Sequence, residues 1–345
     1  MISLEQYRAL RDGAGFVNRS ERGRLRLTGA DRRDYLQGLL TNDIAALSPG
    51  SGCYACLLTA QGRMIAVMFV IETGDAFLMD LERAVAARVG EHLAQFVFSE
   101  DVEVTDVSGS TAQLGIFGPD AAHVVNRVFE SHGSVSTSAD LESLRVLENR
   151  TWNWSASPEH SEAPVTIVRR DDLGGLGFDL WVGAEHSDAL TEALRSAGAL
   201  AVDPEVADVC RIENGRPLFG RDMTTDTIPL EAGIEDRAIS LTKGCYVGQE
   251  IIIRVLHRGQ GRVARRLVGL TLDPTASVPR GGSTIRADDR DIGLVTSAAV
   301  SPALGRPIAL AYVHRDFVED GTEVSVLSDE QLFPAVVTRL PFVRG

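Results

Sequence analysis

Cys245 stands out in "LTKGCYVGQEIIIRVLHRGQGR", Leu241 to Arg262. Gly244 and Tyr246 flank it, Lys243 lies two residues before it, and Gly248, Gln249 and Glu250 follow. "VGQEIIIRVLHR" reads as a helix, so the cysteine sits just before a helix N-terminus. That positive end and a nearby lysine both favour the thiolate. The setting suits a reactive or ligand cysteine on an exposed loop, and it also suits a small side chain in a glycine-rich turn. His257 is the nearest histidine, and its place on the following helix does not suggest a Cys–His nucleophile. Cys53 and Cys56 form a CxxC in a strand-like run. Alternation would send them to opposite faces, and no second CxxC completes a zinc site. They are expected to be ordinary strand residues, and no metal site is expected.

The arginines carry a second signal. Arg254, Arg258, Arg262, Arg265 and Arg266 fall in thirteen residues with His257 and no acid. Arg19, Arg22, Arg24, Arg26, Arg32 and Arg33 form another basic run. Such runs are either solvated faces or sites for an anion: a carboxylate tail, a phosphate or an RNA backbone. Asn42 and Asp43 follow a helix in "LLTNDI", where polar residues serve as a cap or turn or reach a ligand.

The 345 residues suffice for two or three domains with sizeable cores. A net charge of -14 argues against nucleic-acid binding by bulk charge. No apolar run approaches the roughly 20 residues that span a bilayer. The N-terminus lacks a signal-peptide core, and four cysteines make no disulfide framework. A reducing cytoplasm is the expected compartment.

Periodicity supplies the elements. "GRLRLTG" alternates as a strand. Thr28 and Asp31 are spaced as a capping box, with Asp for Glu, before a helix over "RRDYLQGLLTND". "GCYACLLTAQGRMIAVMFVIETGDAFLMDLE" reads as three strands turning at "AQGR" and "ETGD". A helix over Glu82–Phe98 and strands over Val102–Val107 and Gln113–Phe117 follow, and Pro119 opens another helix. Ser131–Ala163 is poor in pattern and reads as a loop or crossover. Strands at "VTIVRR" and "GFDLWV", a helix over Ser187–Ala197 and a helix over "PEVADVCRIENGRP" complete the front region, which is α+β. From Arg265 six short strands recur, the spacing of a small all-β barrel.

These blocks resemble a known family. "KGCYVGQE" matches the signature of the YgfZ-type folate-binding proteins, relatives of the glycine-cleavage T-protein. "YLQGLLTNDIAAL" with "LLTAQGRM", and "RIENGRPLFGRDMTTDTIPLEAG", are similar to further blocks of that superfamily. The resemblance implies antiparallel α+β folate-binding domains around a central channel that holds tetrahydrofolate, plus a C-terminal β-barrel. The implied division is 1–260, as subdomains 1–50 with 110–260 and 51–109, then a barrel over 261–345. The implied role is assembly or maintenance of iron–sulfur cluster proteins, with an indirect link to tRNA modification. Cys245 would be the functional thiol, in a loop shaped by Lys243, Gly244, Tyr246, Gly248, Gln249 and Glu250. Asn42, Asp43, Arg211, Glu213 and Arg254 would border the folate. The implied partners are folate and iron–sulfur client or assembly proteins.

Two departures follow from the same comparison. T-proteins carry carboxylates in "GGILDDL" and "GYTGEDGFE", where this chain has Ala66, Val67 and Gly175. Methylene transfer needs a placed carboxylate to manage the amine proton, so aminomethyltransferase activity is not expected here. A folate-dependent transferase or demethylase, with an acid such as Asp43 supplied from elsewhere, and an RNA-binding module are the alternatives.

Overall fold

A computed structural model describes residues 2–130, 138–155, 162–257 and 262–343. The chain opens with α1 (Leu4–Asp12), β1 (Gly15–Asn18), β2 (Gly23–Thr28) and α2 (Arg32–Leu39). Then come β3 (Gly52–Leu58), β4 (Met64–Glu72), β5 (Phe77–Leu81), α3 (Arg83–Ala94), β6 (Glu103–Asp106) and β7 (Thr111–Phe117). They are followed by α4 (Ala121–Glu130), α5 (Ser138–Glu142), β8 (Asn149–Trp154), β9 (Ala163–Arg170) and β10 (Gly177–Gly183). The front region ends with α6 (Ser187–Ser196), β11 (Leu200–Ala201), α7 (Pro204–Glu213), α8 (Pro229–Ala232), α9 (Glu235–Ala238) and α10 (Gln249–His257). The remaining strands are β12 (Arg265–Leu272), β13 (Thr284–Ala287), β14 (Arg290–Ser301), β15 (Arg306–His314), β16 (Glu323–Ser328) and β17 (Gln331–Thr338).

Three sheets result. One runs β11-β1-β7-β10-β9-β8, a second β3-β4-β5-β2-β6, and the last six strands close a barrel in the order β12-β15-β14-β13-β16-β17. The fold is thus α+β with antiparallel sheets and a closed C-terminal barrel, as expected. Strand alternation decides what each face of the second sheet touches. Ala66, Met68 and Val70 pack into one core with α2 and α3. Tyr54, Cys56, Val67 and Ile71 face another, shared with Phe219, Leu230 and Tyr246. Cys53 and Cys56 accordingly point to opposite faces, the first half-buried and the second fully buried.

Several details differ from the sequence reading. β2 lies in the second sheet, with Leu25 opposite Met79 of β5 and Asp106 of β6, so residues 23–28 do not stay with the first sheet. Thr28 pairs with Glu103 rather than capping α2, and the Asp31 side chain accepts a bond from the Asp101 N–H instead. The third helix stops at Ala94, short of Phe98. Within Ser131–Ala163, α5 and β8 form, and β8 pairs along β9 from Asn149–Val168 to Trp154–Ala163. Residues 131–137 and 156–161 of that stretch lie outside the described residues. No described helix is long and apolar enough to cross a membrane.

Candidate functional site

The first two sheets and α7 meet around a cavity of about 590 Å³, within the usual range for small-molecule sites. Its inner end is aromatic and apolar. Tyr54 and Phe69 stand 4.8 Å apart, inclined at 38°, with Val67 and Phe219 beside them. Guanidinium groups back the rings: Arg170 lies 3.8 Å from the Phe69 centroid and Arg237 5.3 Å from that of Tyr54. Such a surface favours a flat ring packed against it.

A buried ion network holds Arg170. Arg170 reaches Asp80 at 3.0 Å, Asp172 at 3.0 Å and Asp179 at 2.9 Å. Arg19 bonds Asp172 at 2.5 Å and Asp179 at 3.2 Å, and Arg22 pairs with Asp80 and, at 2.5 Å, with Glu82. Burial opposes ionisation of Asp172, but Arg170 and Arg19 outweigh it and hold its carboxyl well below the usual range. Burial, reinforced by Asp172 and Asp80, pushes the Asp179 carboxyl up. Asp80 and Asp179 stand behind the wall, while Asp172 and Glu82 line it already paired. Of the other lining acids, Asp208 pairs with Arg211 and Arg221, and Glu21 and Glu205 are solvent-exposed. Three of the five lining acids, Glu82, Asp172 and Asp208, are therefore committed to arginines.

The three residues that depart from the T-protein pattern are placed differently. Val67 lines the cavity, whereas alternation turns Ala66 into the opposite core, with no exposure. Gly175 lies in a turn with φ +74, and a side chain there would meet nothing within 4 Å.

The cysteine loop lies beside the cavity. Cys245 is exposed and does not line it. The Lys243 Nζ donates to the carbonyls of Gln37, Leu40 and Asn42 at 2.6, 2.7 and 2.9 Å. It thus caps the end of α2, where carbonyls lack intrahelical partners. Burial pulls the Lys243 amine down to about 8, against the attraction of Asp43. Tyr246 is buried in the core under the second sheet. Gly248 has φ +84, and a Cβ there would lie 2.5 Å from the Thr59 carbonyl, so only glycine closes this turn. A side chain at Gly244 would meet nothing within 4 Å. Gln249 and Glu250 open α10.

The remaining residues expected to border a ligand divide. Arg211 lines the cavity and bonds Asp222 at 2.8 Å and Ser297 at 3.1 Å. Asn42 lies one step back: its amide donates to the Tyr54 carbonyl at 2.8 Å and the Arg237 carbonyl at 3.0 Å, fixing two wall residues. Asp43 accepts from Gln37 at 3.0 Å and does not line the cavity. Glu213 is fully buried away from it, accepting from Tyr7, Arg11 and Ser301. Arg254 points to solvent and pairs with Glu250 at 2.6 Å. The basic runs are divided in the same way. Arg265 and Arg266 pair with Glu231 and Glu235, Arg26 with Asp75, and Arg33 with Glu72. Arg258 lies outside the described residues. Sequence reading missed Arg170, Arg237, Tyr54 and Phe69, and only the stacking partners across the fold reveal them.

The comparisons with known proteins agree with this architecture. The model for the GCVT N-terminal domain matches residues 2–243, and that for the glycine cleavage T-protein C-terminal barrel domain matches 265–344. A protein named aminomethyltransferase from Geobacillus kaustophilus is 30% identical over 345 residues, covering 99% of this chain and 90% of its own. One of the same name from Cutibacterium acnes is 30% identical over 350 residues, with 99% and 90% covered. The solved structure of glycine cleavage system aminomethyltransferase T from Bartonella henselae superposes with a TM-score of 0.83 at 23% identity, over 99% of this chain and 89% of that one; this likeness bears on the fold. From its first strand to the last strand of its barrel, the chain belongs to the glycine cleavage T-protein family.

Proposed function

We propose that this protein binds tetrahydrofolate, or a one-carbon derivative of it, without acting as an aminomethyltransferase. We propose further that it serves iron–sulfur cluster proteins in the cytoplasm through Cys245, as the YgfZ-type signature implies. The observation that carries the reading is the cavity's inner end. It offers aromatic and apolar surface for a planar ring, yet Val67 occupies the cavity-facing place where a transferase carboxylate is expected, and the lining acids Glu82, Asp172 and Asp208 are already paired with arginines. Tyr54, Phe69, Val67 and Phe219 would hold the heterocycle, and the cavity's guanidinium groups would favour its carboxylates. A bound folate supplies a one-carbon carrier; the protein supplies shape and charge. Cys245 is held at the surface by Lys243 and Gly248, outside the cavity. That position suits exchange with a client disulfide, forming a mixed disulfide and releasing the client's other thiol, or contact with a cluster in transit.

The test pairs calorimetry of tetrahydrofolate on the wild type and Cys245→Ala with rescue of iron–sulfur enzyme activity in cells lacking the protein. Equal folate binding with rescue by the wild type alone supports the reading. Absence of folate binding removes the ligand, and full rescue by Cys245→Ala removes the thiol's role. The second reading is a folate-dependent one-carbon transferase, favoured by the full-length relatives that carry the name aminomethyltransferase. Consumption of methylene-tetrahydrofolate in the presence of an amine donor would establish it.

A further inference from the structure

A second cavity, of about 490 Å³, lies between the α8–α9 region and the barrel. Arg216, Pro217 and Arg237 line both cavities, so the partition between them is two guanidinium groups and a proline. One carboxylate serves both cations. Asp171 accepts from Arg216 at 2.5 Å and stands 3.6 Å from Arg237. Arg237 donates no hydrogen bond to any described residue, although a guanidinium carries five N–H donors. Its other neighbour is the Tyr54 ring. A partly buried cation whose one carboxylate is shared and stands 3.6 Å away is under-satisfied, and burial, then the nearby Arg216, weakens its hold on its proton. The backbone carbonyl of Arg237 is pinned by Asn42, which fixes the point from which its side chain reaches the partition.

The second cavity's wall also carries apolar side chains, including Ile234, Leu267, Val268 and Leu340, among polar ones that include Thr338 and Arg339. Its own acids, Glu319 and Asp320, are solvent-exposed, and Arg266 is paired with Glu235. Apolar side chains thus lie in the same cavity as a pair of guanidinium groups that share one carboxylate.

We propose that this second cavity binds a small carboxylate, its head group against Arg237 and Arg216 and its apolar body along Ile234 and Leu267. The carboxylate has two possible sources: a separate small molecule entering from the barrel side, or the acidic tail of a ligand seated in the main cavity.

Ligand-observed NMR on the full chain tests this with benzoate and its uncharged counterpart benzamide. Benzoate is expected to bind at least tenfold more tightly than benzamide. Arg237→Gln should weaken benzoate about tenfold or more, the effect of losing a charge-assisted contact. Asp171→Asn removes the competing carboxylate and should tighten it. Thermal melts confirm that each variant is folded, and Arg237→Lys, which keeps the charge without the fork, should fall between. Displacement of benzoate by tetrahydrofolate assigns the site to the ligand's tail; simultaneous binding assigns it to a separate molecule. Equal binding of benzoate and benzamide, or benzoate affinity unchanged in folded Arg237→Gln, overturns the proposal. Selective benzoate binding in a chain that ignores tetrahydrofolate leaves the anion site standing and removes the folate reading instead.

Discussion

Lys243→Met removes the clamp between the cysteine loop and α2. The wild-type amine makes three bonds to carbonyls, at 2.6, 2.7 and 2.9 Å. A hydrogen bond from a charged donor contributes about 1.5–3 kcal/mol. Against this stands the cost of burying the ammonium, which its fall from 10.5 to about 8 reports as about 3 kcal/mol. The net loss in Lys243→Met is then about 2–5 kcal/mol, because methionine satisfies none of the three carbonyls. The pH dependence carries a sign. The folded chain releases this proton near pH 8 and the unfolded chain near 10.5, so between those values the unfolded state binds more protons. Stability from this group therefore rises with pH across that window, and the rise is absent in the methionine variant. Amide exchange and thermal melts from pH 7 to 10 measure both effects, with thiol titration of Cys245 as the local readout. Exchange at α2's last turn and the cysteine loop should quicken, and the thiol's reaction rate should shift. An equally stable variant with unchanged exchange and the same pH slope would refute the account.

Gly248→Ala places a Cβ 2.5 Å from the Thr59 carbonyl at φ +84; a loss of about 2 kcal/mol or more is expected in chemical denaturation, together with altered Cys245 labelling. Glu213→Gln weakens a buried hub shared by Tyr7, Arg11 and Ser301; it should cost about 3–5 kcal/mol in stability and leave tetrahydrofolate affinity in the folded protein unchanged. Asp172 is held ionised by Arg170 and Arg19, so its contribution is complete above about pH 4 and lost as pH falls further; an Asp172→Asn melt series should show a flatter acid limb than the wild type. Val67→Asp restores a carboxylate to the cavity wall, and with Gly175→Glu, whose side chain meets open space, it should raise any one-carbon transfer above the wild-type level in a methylene-tetrahydrofolate assay.

What the sequence made legible was local. The alternation in "GCYACLL" placed Cys53 and Cys56 on opposite faces before any coordinates, and six regularly spaced strands announced the barrel. The strand β8 escaped because "NRTWNW" has little apolar periodicity; it forms by pairing with β9, a partner that arrives later in the chain. Asn42 was noticed for its polar type, but its work is to hold the backbones of Tyr54 and Arg237, a contact spanning 195 residues in the second case. Arginines showed the same limit most clearly. Arg254 and Arg237 look alike in composition, yet one closes a surface pair on its own helix and the other stands between two cavities. Sequence separation hides which carboxylate each guanidinium will meet.

The barrel is more than an appended module. Arg211 and Glu213, both on α7, bond Ser297 and Ser301 of β14, while Asp222 accepts from Thr296. Those hydroxyls are part of the solvation of charges that belong to the front region. Cutting the chain near residue 262 would therefore expose, in one step, the polar interior that the barrel insulates. The two regions are thermodynamically one folding unit, although two separate family models describe them. In such a chain a barrel mutation far from any ligand is read out at the cavity as a change in the population of the intact state.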